Sequence, residues 1–457
     1  MATAQQHLDQ LSALDYAFLL QEGPNSQMHF GGVAIFAGPP PKYEDLLEHI
    51  RARLDRVPRY RQRLAEPPLR LGRPRWVDDP TFNLEYHVRH NAVASPGDER
   101  ALRRLVARVF SQHLDRNKPL WEILLVEGLE DDRFALITKT HNAVVDGIAG
   151  VDITTALFDL TPSEEPDKVV IPWLARPLPA SAELAALALN GSIRNLAAIP
   201  VKAAETLGDR VGLQRTARDA GEAAMSVFRP APSSPLNTKI GPHRRVAFVD
   251  AKLEDFRTVK NVFGGSVNDV VLAVVAGALR HWMHERGHKT EGLDLRAGVP
   301  ISTRGRDEQG AGGNRITQLV APLPVDVPDP VARLRIVQEA MADLTASREA
   351  LGAEVIAGSS DFAPPTILAQ SNRWNFSTRA YNLRVTNVPG PQVPLYLLGR
   401  ELQEVYPLSF LAGERALAVA AMSYRGFVGF GLIADADRIE DLEVVAQGVR
   451  ETLAEYV

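Results

Sequence analysis

Two blocks of alternating strand-like and helix-like pattern, held apart by a proline-studded stretch, constrain this chain more than any other feature. In the first block, Phe30–Phe36 reads as a strand, and Asp45–Val57 places Leu46, Leu47, Ile50, Leu54 and Val57 on one helix face. Asp98–Leu114 repeats that period with Leu102, Leu105, Val106, Val109 and Phe110. The strand-like runs Trp121–Val126 and Phe134–Thr140 follow, and a helix is expected to start near Gly147. Pro162, Pro166, Pro172, Pro177 and Pro179 crowd the next segment, which reads as irregular. Ala-rich helical sequence from Ser181 to Phe228 ends in a second proline cluster, Pro230, Pro232 and Pro235. The second block restarts with strand Arg245–Val249, helix Leu253–Phe263 and the long helix Ser266–Glu285. Strands are expected at Arg296–Val299, Gln318–Leu323, Leu383–Asn387, Ala416–Ser423 and Phe427–Ile433, and a last helix at Ile439–Glu455. This pattern predicts an α/β or α+β chain. Its divisions are an N-terminal domain over 1–180, a helical linker over 181–235 and a C-terminal domain over 236–457.

With 457 residues, 45% of them apolar and 23% charged, the chain can bury a large core without staples. It has no cysteine, which excludes disulfides, a thiolate nucleophile, Fe–S clusters and Cys-ligated zinc. A net charge of −5 argues against nucleic acid as the main partner. The N-terminus lacks the basic-then-apolar pattern of a secretory signal, and the longest apolar run, Val270–Leu279, stops at Arg280. That run is far short of the ~20 residues that span a bilayer. The expectation is a cytoplasmic protein, with a peripheral membrane role open.

Three constellations are candidates for chemistry. In Lys139-Thr140-His141-Asn142-Ala143-Val144-Val145-Asp146-Gly147 a strand gives way to a helix. On local grounds Asp146 is an N-cap, and a lone His141 reads as structural. Ser266-x-x-Asp269 has the form of a capping box, which accounts for Asp269 and leaves Asn268 without a structural task. His284-Glu285-Arg286-Gly287-His288 matches the zincin pattern, but Gly287 marks a helix end and puts His288 off the helix face that zinc binding needs. No Walker loop, dinucleotide fingerprint or Gly-x-Ser-x-Gly elbow is present.

The first motif has company. Leu14-Asp15, Met28-His29-Phe30-Gly31-Gly32 and Pro119-Leu120-Trp121 precede it. Ser266–Val271, Val299-Pro300-Ile301-Ser302-Thr303-Arg304, Gly312-Gly313-Asn314, Thr386–Pro391 and Ser423-Tyr424-Arg425-Gly426 follow. In this order they resemble the bacterial wax ester synthase/diacylglycerol acyltransferase family over nearly the whole chain. The resemblance implies a two-domain, chloramphenicol-acetyltransferase-like fold with an active-site channel between the domains. It implies transfer of a fatty acyl group from acyl-CoA to a long-chain alcohol or diacylglycerol, with no cofactor beyond the acyl-CoA substrate. Lipid substrates also imply peripheral contact with a membrane or lipid bodies.

In that family the motif is His-His-x-x-x-Asp-Gly, and its second histidine is the general base that deprotonates the acceptor hydroxyl. The resemblance makes Asp146, beside Gly147, a structural residue paired with Arg304. It puts Asn268 near the site, where its amide orients the acceptor or the oxyanion, and it puts Ser302 and Arg304 on the substrate side. Here the base position holds Asn142. An amide has no readily protonated lone pair, and losing a positioned base typically costs about 10²–10⁴ in rate. Asn142 is therefore an introduced substitution, or marks a natural member with weak activity or a binding role, or signals that His141 acts instead. The last fits least, because adjacent residues leaving a strand point to opposite sides.

Overall fold

The computed structural model describes residues 8–70, 72–144, 156–167, 172–187, 230–302, 316–351 and 380–457. The first part runs α1 (Ala13–Gln21), β1 (His29–Phe36), α2 (Tyr43–Arg53), β2 (Gln62–Ala65), β3 (Arg75–Asp78), α3 (Leu84–His87), β4 (Val88–Ala92), α4 (Glu99–Ser111), β5 (Trp121–Leu129) and β6 (Arg133–His141). The second part runs β7 (Arg244–Lys252), α5 (Leu253–Phe263), α6 (Val267–Glu285), β8 (Leu295–Ser302), β9 (Ile316–Leu323) and α7 (Pro330–Leu351). It continues with β10 (Leu383–Pro389), β11 (Tyr396–Leu397), β12 (Arg400–Leu408), β13 (Leu417–Tyr424), β14 (Phe427–Asp435) and α8 (Leu442–Ala454). The helix expected from Gly147 and residues 188–229 of the linker lie outside the described residues.

Two six-stranded mixed sheets form, in the orders β11-β12-β1-β6-β5-β4 and β7-β14-β13-β10-β8-β9. Strand alternation decides how the first sheet is buried. Ala34, Phe36, Ile123, Leu125, Phe134 and Leu136 face a core shared with Leu46, Leu47 and Ile50 of α2. Their neighbours Val33, Ile35, Leu124, Val126, Ala135 and Ile137 face a second core with Leu102, Leu105, Val106 and Val109 of α4. That second core runs without a break into α6, β13 and β14, so the two sheets share one apolar interior.

Within the described residues, the apolar strands and helices named in the sequence form where expected, to within a few residues at each end. Strands β11 and β12 carried no sequence signal, and they leave their own half to extend the first sheet. β12 pairs antiparallel with β1, from Gly31 opposite Leu408 to Phe36 opposite Leu402. Glycines make this crossing possible. A Cβ on Gly32 would collide with the Tyr406 carbonyl, and Cβ atoms on Gly429 and Gly431 of β14 would collide with the Val405 and Pro407 carbonyls. β12 is thus held between two glycine-bared strands.

Helix ends follow local rules. Asp98 Oδ1 accepts from the Ala101 N–H at 2.7 Å and caps α4. At α6 the Ser266 hydroxyl accepts from the Asp269 N–H at 3.2 Å, and the Asp269 carboxylate accepts from the Ser266 N–H at 2.7 Å. This is the predicted capping box. Gly287 takes φ +70° just past α6, and the His288 N–H closes back to the Met283 carbonyl. His288 is therefore off the helix, and His284 Nε2 lies 2.9 Å from the Thr290 hydroxyl.

Candidate active site

The motif sits where β6 ends. His141 is directly opposite His29 of β1, and its N–H donates to the Leu120 carbonyl at 3.0 Å. Pro119-Leu120-Trp121 is the anchor for this corner. The Trp121 indole donates to the Tyr60 carbonyl at 2.7 Å, and His87 stacks on it at 4.7 Å. Lys139, two residues before His141, is fully buried. Its ammonium lies 3.0 Å from Glu122 and donates to the Val109 and Gln112 carbonyls at the end of α4. A buried charge of this kind persists only when paired and hydrogen-bonded.

His141 is almost completely buried. Its Nδ1 accepts from the Ala143 N–H at 3.0 Å, so the ring hydrogen is on Nε2, which points toward Glu22 at 3.9 Å. Burial drives its pKa down from 6.5 to about 4, against the pull of Glu22 and with help from Arg116. The ring is neutral at pH 7, and its one lone pair is already in use. It has no free basic nitrogen to offer an acceptor hydroxyl.

Asn142 is half-buried. Its backbone N–H and its side-chain Nδ2 both donate to the Met28 carbonyl, each at 2.9 Å. Asn142 thus ties β6 to the chain leading into β1. It has a hydrogen-bond acceptor left in Oδ1 but no group that takes a proton near neutral pH.

Asn268 belongs to the other half. It is half-buried in the first turn of α6, and among the described residues its amide makes no hydrogen bond, since Ser266 and Asp269 complete the cap by themselves. Ser302 is the last residue of β8, opposite Ile316 of β9. No hydrogen bond among the described residues joins Asn142 to Asn268. Asp146, Gly147 and Arg304, with the ion pair expected between Asp146 and Arg304, lie outside the described residues.

Sequence reasoning passed over His29 and the Glu122–Lys139 pair. His29 is fully enclosed, with Nε2 3.2 Å from the Phe110 carbonyl, and burial holds its pKa well below the usual value. The available signal was strand parity, since His29, Lys139 and His141 share one face of the β1–β6 pair.

The profile of the wax ester synthase/diacylglycerol acyltransferase catalytic domain matches residues 11–271, and that of the WS/DGAT C-terminal domain matches residues 312–456. The chain belongs to the wax ester synthase/diacylglycerol acyltransferase family. This WS/DGAT member is 33% identical over 465 residues to the probable diacylglycerol O-acyltransferase tgs1 of Mycobacterium tuberculosis, covering 98% of this chain and 96% of the relative. It is similar in structure to the wax ester synthase/diacylglycerol acyltransferase of Marinobacter aquaeolei VT8, with a TM-score of 0.71, 28% identity and 98% of each chain covered. The starter condensation domain of rhizomide synthetase, solved with C8-CoA, shares the fold at a TM-score of 0.58 and 12% identity, over 98% of this chain and 95% of that one. The architecture is the two-domain, chloramphenicol-acetyltransferase-like one, and the WS/DGAT chain is an O-acyltransferase by family. Among its described residues no single helix is long and apolar enough to cross a membrane.

Proposed function

We propose that this chain transfers a long-chain acyl group from acyl-CoA to the hydroxyl of a long-chain alcohol or of diacylglycerol, and that Asn142 makes it a slow catalyst. The acceptor oxygen attacks the thioester carbon and forms a tetrahedral oxyanion. Collapse of that oxyanion forms the ester and expels the CoA thiolate. The hydroxyl proton must leave the acceptor and reach the departing sulfur, which is the task of a general base that becomes a general acid. Asn142 and Asn268 would line one channel between the halves, with His141 packed behind Asn142; the family resemblance assigns Asp146, Gly147, Ser302 and Arg304 to the same site. No cofactor beyond the two substrates is called for. The lipid acceptors give the protein reason to work from the cytoplasm on a membrane or lipid-body surface.

One observation carries the reading of Asn142: at the base position an amide donates to Met28, while the adjacent His141 has its lone pair committed to Ala143. Asn142→His tests it. The rate of acyl transfer should rise about 10²-fold or more, in kcat and with little change in KM for acyl-CoA. The gain should fade below about pH 6, where an ordinary imidazole becomes protonated. Released CoA can be followed with a thiol reagent without background, because the chain contains no cysteine. Ordinary acyltransferase rates in the original chain, abolished by His141→Ala, would make His141 the base. An unimproved Asn142→His variant that still binds acyl-CoA would make the chain a binding relative.

A further inference from the structure

A cleft of about 630 Å³ opens between α4 and the residues that lead into β7. Its lining carries Arg100, Arg103, Arg104 and Arg108 from one side and Arg244 and Arg245 from the other, against one carboxylate, Glu443. The helix sequence produces the first wall. Leu102, Leu105, Val106, Val109 and Phe110 turn one face of α4 to the core, which leaves Arg100, Arg104 and Arg108 in a stripe at four-residue spacing. Like charges at that spacing repel one another.

Few of these cations are neutralised. Arg103 has Glu99 at 3.5 Å and Glu443 at 3.7 Å. Among the described residues, Arg100, Arg104, Arg108 and Arg245 have no ion-pair partner, and the buried Nε of Arg245 has no hydrogen bond. Arg244 is the buried floor. Burial lowers its pKa to about 10, with Asp435 opposing, so it remains charged at neutral pH. A size in the range of small-molecule sites, several unpaired guanidiniums and a single acid describe a site for a polyphosphate anion.

The floor is also wired to the β6 end. Arg244 donates to the Gln27 side chain at 2.6 Å and to the Asn25 carbonyl, and Gln27 donates to the Ser111 carbonyl at 3.0 Å. The carbonyl of Met28, the residue after Gln27, is the one that holds Asn142. A molecule with phosphates at one end and a thioester at the end of a flexible arm matches this arrangement.

We propose that the α4–β7 cleft binds the pyrophosphate and 3′-phosphate of coenzyme A and so recognises the acyl donor. This rests on the reading of acyl-CoA as the donor. The double variant Arg104→Glu/Arg108→Glu tests it, because both side chains are exposed and a melting curve verifies the fold. Calorimetric titration of the full chain with CoA and with 3′-dephospho-CoA should show the original chain favouring CoA. Charge reversal should weaken CoA binding about tenfold or more and erase that preference, while Arg104→Lys/Arg108→Lys keeps most of both. CoA affinity unchanged within about twofold on charge reversal overturns the proposal. So does intact CoA binding with lost sedimentation on phosphatidylglycerol vesicles, which would make the cleft a lipid-surface contact.

A phosphate-free acyl thioester of N-acetylcysteamine, assayed in the Asn142→His background, separates the two readings. If that thioester and acyl-CoA are both turned over and their kcat/KM ratio ignores charge reversal, the cleft assignment falls and the acyltransferase reading stands. If neither donor is turned over while charge reversal still abolishes CoA binding, the acyltransferase reading falls and the cleft assignment stands.

Discussion

The end of β6 and the start of α6 each present an asparagine at the edge of an apolar element, and the fold uses the two differently. Around Asn142 most nearby donors and acceptors are committed: its amide N–H goes to Met28, His141 Nδ1 to Ala143, and Lys139 to Glu122 and the end of α4, while His141 Nε2 and His29 Nδ1 are buried without a hydrogen bond. Around Asn268 the neighbours do the structural work, since Ser266 and Asp269 cap the helix together. Helix capping satisfies exposed N–H groups with nearby side chains, so it leaves a third residue free for other uses. At a strand end buried between helices most polar side chains are drawn into pairing, because an unpaired polar group there costs free energy.

The largest expected break in this comparison is at His141. The folded chain takes up its ring proton near pH 4, whereas an unfolded histidine does so near 6.5. Protons therefore favour the unfolded chain. The stability held by this neutral ring is full above pH 6.5 and is lost as pH falls toward 4, a difference of about 3 kcal/mol at most. Denaturant unfolding of the original chain and of His141→Gln across that range should show a shallower acid loss in the variant. Equal slopes would mean that the ring is charged in the fold.

The capping box comes next. Ser266→Ala should cost about 1 kcal/mol, read as a lower denaturation midpoint with the slope unchanged. An unaltered midpoint would show that the cap adds nothing beyond what water supplies. Asn268→Ala is the smallest in stability, within about 0.5 kcal/mol. In the Asn142→His background it should still lower kcat about tenfold, the worth of one oriented hydrogen bond. A lowered midpoint with an unchanged rate would move Asn268 from the chemistry to the scaffold.

Much of this was legible beforehand where the cause is local. The apolar face of α4, the capping box of α6 and the Gly287 helix stop each depend on residues within one or two turns, and each forms as its sequence indicates. The long helix α7 was missed because its apolar residues are diluted among arginines and acids with no clean stripe. Within the site, Asn142 drew attention in the sequence only through the family resemblance. What holds it was not legible, because Met28 is 114 residues away. His29 and the Glu122–Lys139 pair were hidden for the same reason, as their partners come from other strands and from α4.

The sequence by itself determined the apolar periodicities, the caps and breaks, the missing cysteine and the ordered motifs that mark an acyltransferase. Only the tertiary structure decided that β12 would leave its own half and extend the first sheet. Nothing within Arg400–Leu408 announces that path. It follows from glycines far away in β1 and β14, whose absent side chains let three backbones approach. Close approach of that kind is a property of the assembled strands, and it is what joins the two halves around one core.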